Sequence, residues 1–248
     1  MDVRKAIITL CFNRPEQVAH SIGRLNSTQD TSAYEKYLID VSYPLPDKKK
    51  NTIKLANLAM HHGYELLKPY KNRGVAINWM HAVMELELKA GDVIIGMDPD
   101  SHPMTSGWCD ALTDVLISDK KIGYCGLTRT SKPELSTEVD ESSYQYSIQE
   151  IAGHDVRFYE KPVAWPMGGF NVEFVKTVGI HQPRKHYGFI EIETIRQMQK
   201  TEWSWCMLDK YYDATSERGE DLFRQWKVDQ AHGRTDLDFE EYIKYIGE

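Results

Sequence analysis

The chain has 248 residues, a net charge of −7, 41% hydrophobic and 27% charged residues, the balance of one sizeable soluble α/β core. No apolar run approaches the length that spans a bilayer, and the acidic balance opposes a mainly electrostatic grip on nucleic acid. Cys11, Cys109, Cys125 and Cys206 are widely separated, without a CxxC pair or zinc spacing, so reduced thiols are expected and a disulfide framework is not.

Residues 1–10 place charge before an apolar stretch, as a secretory signal does. That stretch is only a strand long and runs into Asn13-Arg14-Pro15-Glu16 with no small-residue cleavage site, so a strand that opens the fold is the better reading. Residues 6–12 are apolar and β-branched, as in a strand buried on both faces. Pro15 suits the first turn of a helix reaching about Leu25. Residues 37–42 read as a second strand, closed by Tyr43-Pro44-Leu45-Pro46-Asp47, and Lys48-Lys49-Lys50 as a solvated charge run in a loop.

A helix is expected over residues 52–63, a short strand over 64–67 and a helix over 76–88, stopped by Gly91. Residues 92–97 are a buried strand that ends on Asp98-Pro99-Asp100. A helix over 107–118 and a strand over 122–127 complete a βα alternation, which implies a mostly parallel sheet with right-handed crossovers. Residues 128–155 are polar and turn-rich and read as a loop or small hairpin. Residues 165–171 precede a short helix, 188–199 begin another, and 221–245 read as two helical pieces interrupted at Gly233.

Asp98-Pro99-Asp100 carries the most chemistry. Ligands of parallel α/β sheets bind beyond the carboxyl ends of the strands, where this tripeptide lies. Two close carboxylates are costly unless a cation compensates them, and hard cations such as Mg²⁺ or Mn²⁺ take oxygen ligands and bridge to phosphates. Alone, the tripeptide is also what an acidic surface turn looks like.

The order of segments around it resembles the GT-A glycosyltransferases, in particular the family-2-like group. Thr9-Leu10-Cys11-Phe12-Asn13-Arg14-Pro15-Glu16 matches the end of the group's first strand, Asp40 its acidic second-strand terminus, and Asn72-Arg73-Gly74 its N-x-G helix opening. The resemblance covers about residues 5–110. It implies a single GT-A domain over residues 1–248, with a mostly parallel central sheet flanked by helices. Residues 1–127 or so would form the nucleotide-sugar half, and about 128–248 the acceptor half.

By that resemblance Thr9, Cys11, Asn13, Arg14 and Asp40 surround the nucleoside of a UDP- or GDP-sugar. Asn72, Arg73 and Gly74 lie near base and ribose, and Asp98 faces the ribose or sugar. Asp100 holds Mn²⁺ or Mg²⁺, with a C-terminal histidine, here His232, as a further ligand and His102 as its rival. Gly168 and Gly169, with Trp165 before them, correspond to a glycine-rich segment beside donor sugar and acceptor. In Gly188-Phe189-Ile190-Glu191-Ile192-Glu193, Glu191 takes the general-base position, although Ile190 and Glu191 depart from the group's usual Glu and Asp. Trp165, Trp203, Trp205 and Tyr187 are candidates for a sugar platform.

The expected activity is metal-dependent transfer of a sugar to a hydroxyl, the acceptor a glycan, in a cytoplasmic protein (host cytoplasm if viral) without integral membrane contact. An alternative acceptor is a hydroxymethylated base in phage DNA, for which Lys48-Lys49-Lys50, Arg129, Lys132 and Arg184-Lys185 offer local positive charge. From other classes, a nucleotidyltransferase would need a glycine-rich phosphate loop after the first strand, which Asn13-Arg14-Pro15-Glu16 is not. A non-catalytic sugar-nucleotide-binding module would lack a working base.

Overall fold

The computed structural model describes residues 3–11, 14–41, 48–67, 74–99, 101–129, 144–162, 167–181, 190–215, 225–226, 229, 234–237 and 241–242. In chain order these form β1 (Lys5–Cys11), α1 (Pro15–Thr28), β2 (Glu35–Asp40), α2 (Lys48–His62), β3 (Glu65–Leu67), α3 (Val75–Glu85), β4 (Val93–Met97) and β5 (Ser101–Pro103). There follow α4 (Trp108–Ser118), β6 (Ile122–Arg129), β7 (Tyr146–Ile151), β8 (His154–Tyr159), β9 (Met167–Asn171), α5 (Val172–Thr177), α6 (Ile190–Met198) and β10 (Ser204–Thr215).

The strands make one ten-stranded sheet in the order β3-β2-β1-β4-β9-β6-β10-β8-β7, with β5 paired to β10. β1 pairs parallel with both β2 and β4, β2 with β3, and β6 with β10. β9 is inserted antiparallel between β4 and β6, which leaves those two running the same way.

Alternation along β1 shows how the sequence builds two cores from one sheet. Ala6, Ile8 and Leu10 join the cluster under α3, α5 and α6, while Ile7 and Cys11 join the cluster under α1, α2 and α4. Helices on both faces explain why β1 reads as a continuous apolar run instead of an alternating one. Each fully buried aliphatic or aromatic side chain here contributes roughly 1.5–3 kcal/mol. α1 starts on Pro15, which fits a first turn that has no use for its N–H, and buries Val18, Ser21, Ile22 and Leu25 at helical spacing. α5 is capped by Asn171, whose side chain accepts from Glu173 N–H at 2.9 Å.

Several expectations are corrected. Lys48-Lys49-Lys50 is the first turn of α2 and not a loop, since lysine is a good helix former and residues 48–62 carry no helix breaker. The second strand covers Glu35–Asp40 and so ends on the acidic residue. Of the loop or small hairpin expected over residues 128–155, the hairpin is found at residues 146–159 as β7–β8, whose turn residues Ala152 and Gly153 have φ of 53° and 81°, the positive values that a two-residue type I′ turn needs. Gly168 and Gly169 lie within β9, which runs directly into the short helix α5. β10 has no counterpart in the sequence reading, yet it joins the central sheet to the hairpin. Of the two C-terminal helical pieces, Gln225–Trp226, Asp229 and Glu241–Tyr242 are described and helical.

Candidate active site at the C-terminal ends of β1, β2 and β4

The parallel strands bring three of the predicted segments to one edge of the sheet. Cys11 at the end of β1 pairs with Asp40 at the end of β2, and Thr9 pairs with Met97, the residue before Asp98. Asp98 is half-buried where β4 runs out, and its carbonyl accepts from Ser101 N–H at 3.1 Å. The result is a four-residue turn with Pro99 second, the position that its fixed φ favours. From there β5 turns into an antiparallel pairing with the last residues of β10, Thr215 opposite Ser101 and Asp213 opposite Pro103.

Two buried oxygens stand behind this edge. Thr9 is fully buried, and its Oγ1 meets no hydrogen-bond partner among the described residues. Asp40 is also fully buried and accepts from the Thr52 hydroxyl of α2 at 2.6 Å. Cys11 between them is a protonated thiol: burial, which disfavours a thiolate, pushes it up to about 12. Arg14, half-buried at the start of α1, donates to Gln17 Oε1 at 3.3 Å. Next to it, hydrogen bonding from Lys54 holds Glu16 below the usual carboxylate range.

Gly74 opens α3 with φ 97° and ψ 156°, a conformation that only glycine adopts without strain. Gly168 and Gly169 are closely approached by core side chains. A Cβ on Gly168 would sit 2.3 Å from Tyr124 Oη, and one on Gly169 would sit 2.7 Å from Leu116 Cδ1. Glu191 lies in the first turn of α6, and its side chain is outside the described part of that helix. Asn13, Asn72, Arg73, Asp100, Trp165, Tyr187 and His232 are outside the described residues.

His102 is buried in β5 with its ring 4.4 Å from that of His20. Trp205 is buried and stacked on Tyr159 at 5.8 Å, and Trp203 meets Phe174 edge-on at 5.7 Å, so both rings serve the core. Among the described residues no group of three or more His, Cys, Asp or Glu gathers to hold a metal, and no helix is long and apolar enough to cross a membrane. All four cysteines are free and buried. Sequence reasoning missed the β5–β10 ribbon and Ser21, a buried helix serine 2.8 Å from the Pro99 carbonyl. Serine amid the apolar positions 18, 22 and 25 was the one available signal.

A mixed sheet in which β3, β2, β1, β4, β6 and β10 run the same way around the antiparallel β9, with helices on both faces and an aspartate turn at the end of β4, is a GT-A fold. The described structure is similar to a mannosyltransferase, PcManGT from Pyrobaculum calidifontis, solved with GDP-Man and Mn²⁺ (TM-score 0.59, 11% identity, 93% of this chain and 61% of that one). It is similar to GalNAc-T7 solved with UDP, GalNAc and Mn²⁺ (TM-score 0.65, 11% identity, 88% of this chain and 44% of that one). It is also similar to residues 1–349 of S. aureus TarS with UDP-GlcNAc (TM-score 0.58, 13% identity, 88% and 60%). The chain thus spans between 44% and 61% of the length of these three. No family model and no curated protein matches the sequence.

Proposed function

We propose that the chain is a metal-dependent glycosyltransferase that moves a sugar from a UDP- or GDP-sugar to an acceptor hydroxyl, with a glycan as acceptor. The observation that carries this reading is the half-buried Asp98 at the β4 terminus of a GT-A fold, one residue past the strand pairing with Thr9. The neighbours solved with GDP-Man and Mn²⁺ and with UDP, GalNAc and Mn²⁺ support the same chemistry.

Asp98, half-buried at the end of β4, offers the oxygen chemistry that a hard cation takes. Carboxylates and a buried hydroxyl are what Mn²⁺ or Mg²⁺ selects, and the Thr9 oxygen without a described partner is suited to accept or donate a bond to a nucleoside. Asp100, with His232 as a further ligand, would hold the metal. When bound, the cation offsets charge developing on the diphosphate leaving group.

The chain's own groups do the rest. Thr9, Cys11, Asn13, Arg14 and Asp40 line the nucleoside, Asn72, Arg73 and Gly74 the base and ribose, and Asp98 the ribose or sugar. Glu191 accepts the acceptor hydroxyl's proton as its oxygen bonds to the anomeric carbon and the bond to the diphosphate oxygen breaks. Trp165, Gly168 and Gly169 border the acceptor. A single domain over residues 1–248 accommodates both halves.

The test is donor hydrolysis or transfer with Mn²⁺ across UDP- and GDP-sugars. Asp100→Ala is expected to cut kcat/KM by about 10²-fold or more, the scale of losing one preorganised electrostatic contact. Full metal-dependent turnover by that variant would overturn the assignment.

A further inference from the structure

Ser21 lies in the middle of α1 and is fully buried among Val18, Ile22 and Leu25. A serine inside a helix normally turns back on its own helix and bonds a carbonyl three or four residues earlier. Ser27 and Thr28 of the same helix do this, donating to Arg24 O at 2.8 and 2.9 Å. Ser21 Oγ instead donates across 78 positions of sequence to the carbonyl of Pro99, at 2.8 Å.

That carbonyl belongs to the peptide plane leading into Asp100. Pro99 has no N–H of its own, so its carbonyl is the one backbone handle by which this residue can be held. The Ser101 N–H bond to Asp98 O closes the turn on its other side. The same helix makes a second grip just past the turn, where the His20 ring packs on His102 at 4.4 Å and 58°. α1 therefore grips the chain on both sides of Asp100, at Pro99 and at His102.

We propose, on the reading that this turn binds a divalent cation with a nucleotide diphosphate, that Ser21 is a positioning residue for it. Its hydroxyl fixes the tilt of the Pro99 carbonyl, one residue past Asp98. It touches neither metal nor donor. The cost of losing it falls on metal affinity, because a turn free to rock spends part of the binding energy on being ordered.

The test titrates the full chain with Mn²⁺ at saturating UDP or GDP. It follows free Mn²⁺ by electron paramagnetic resonance and, separately, the melting temperature. Ser21→Ala places the best helix former in α1 and is expected to fold. The Mn²⁺ half-saturation should rise about tenfold, equivalent to about 1.4 kcal/mol, while kcat at saturating Mn²⁺ changes less than about twofold. Ser27→Ala, which loses only a back-bond within the helix, should bind Mn²⁺ as the parent chain does. A Ser21→Ala protein that melts lower yet binds Mn²⁺ like the parent would reduce Ser21 to core packing and overturn the proposal. If the parent chain itself takes up no Mn²⁺ with either nucleotide, the glycosyltransferase reading falls first and this one with it.

Discussion

Gly96 shows how little room the strand behind the site leaves. A Cβ there would lie 2.0 Å from Trp79 Cη2, a ring that also meets Phe170 edge-on at 5.4 Å and so cannot retreat without disturbing a second aromatic. Gly96→Ala is expected to destabilise the protein by about 1–3 kcal/mol through overpacking, read as a lower urea midpoint at unchanged slope. Because Gly96 lies two residues before Asp98, the same variant should also weaken nucleotide-dependent thermal stabilisation. Tyr124 plays the matching part on the neighbouring strands, its hydroxyl donating to Met167 O at 3.2 Å in the space that side chains at Gly126 and Gly168 would fill. Gly96 and Gly126 read in the sequence as strand residues, and Gly168 as a position where the backbone approaches a ligand. A missing Cβ looks the same whether a ligand or a tyrosine takes its place, so the place of Gly168 within β9 was not legible there.

Among the elements, the β7–β8 hairpin depends on β10 for its seat. Arg157 of β8 donates through Nε to Asp209 Oδ1 at 2.7 Å, with a second guanidinium nitrogen at 2.5 Å, and its guanidinium lies 4.8 Å from the centre of the Tyr146 ring. Asp209 is buried and lies where β10 shifts register against β6, beside Lys210 at φ 63°. Arg157→Ala would leave that carboxylate with the mostly exposed Lys210 ammonium at 3.8 Å, at a cost of up to roughly 3 kcal/mol. The double change Arg157→Ala with Asp209→Asn should recover part of the loss, and denaturant midpoints of the four proteins give the coupling directly. The first four strands and their helices were readable because each is an apolar run ended by its own stop signal. β10 was not, because Lys210 and the polar residues of its second half break the two-residue alternation where the strand bulges. The edge strand β7 is exposed along most of its length and buries too little to leave a pattern.

Across the whole molecule, the two halves expected from sequence share one sheet, since β9 lies between β4 and β6 and β10 lies beside β6. Joining β1 to β2 is a matter of charge as well as of packing. Arg4, at the entry to β1, forks onto Glu35 of β2 at 2.8 and 2.7 Å and donates to Leu86 O at 2.9 Å. Hydrogen bonding from Arg4 holds Glu35 below the usual carboxylate range, as Lys54 does for Glu16 and the Tyr242 hydroxyl for Asp229. A carboxylate whose folded-state pKa is depressed binds fewer protons folded than unfolded. Its contribution is therefore complete above the unfolded value of about 4.3 and is lost as pH falls through the lower folded value. The contribution of these three carboxylates should be flat from about pH 7 to pH 5 and fall steadily below that. Glu35→Gln should lower stability at pH 7 by about 0.5–1 kcal/mol, the pair being partly exposed and screened. The gap between variant and parent should narrow as pH falls below about 4.3, where the unfolded parent takes up the proton that its folded Glu35 resists. Urea midpoints at pH 7, 5, 4 and 3 for both proteins decide it, and a gap that stays constant down to pH 3 would mean that Arg4 and Glu35 are held by packing and not by charge.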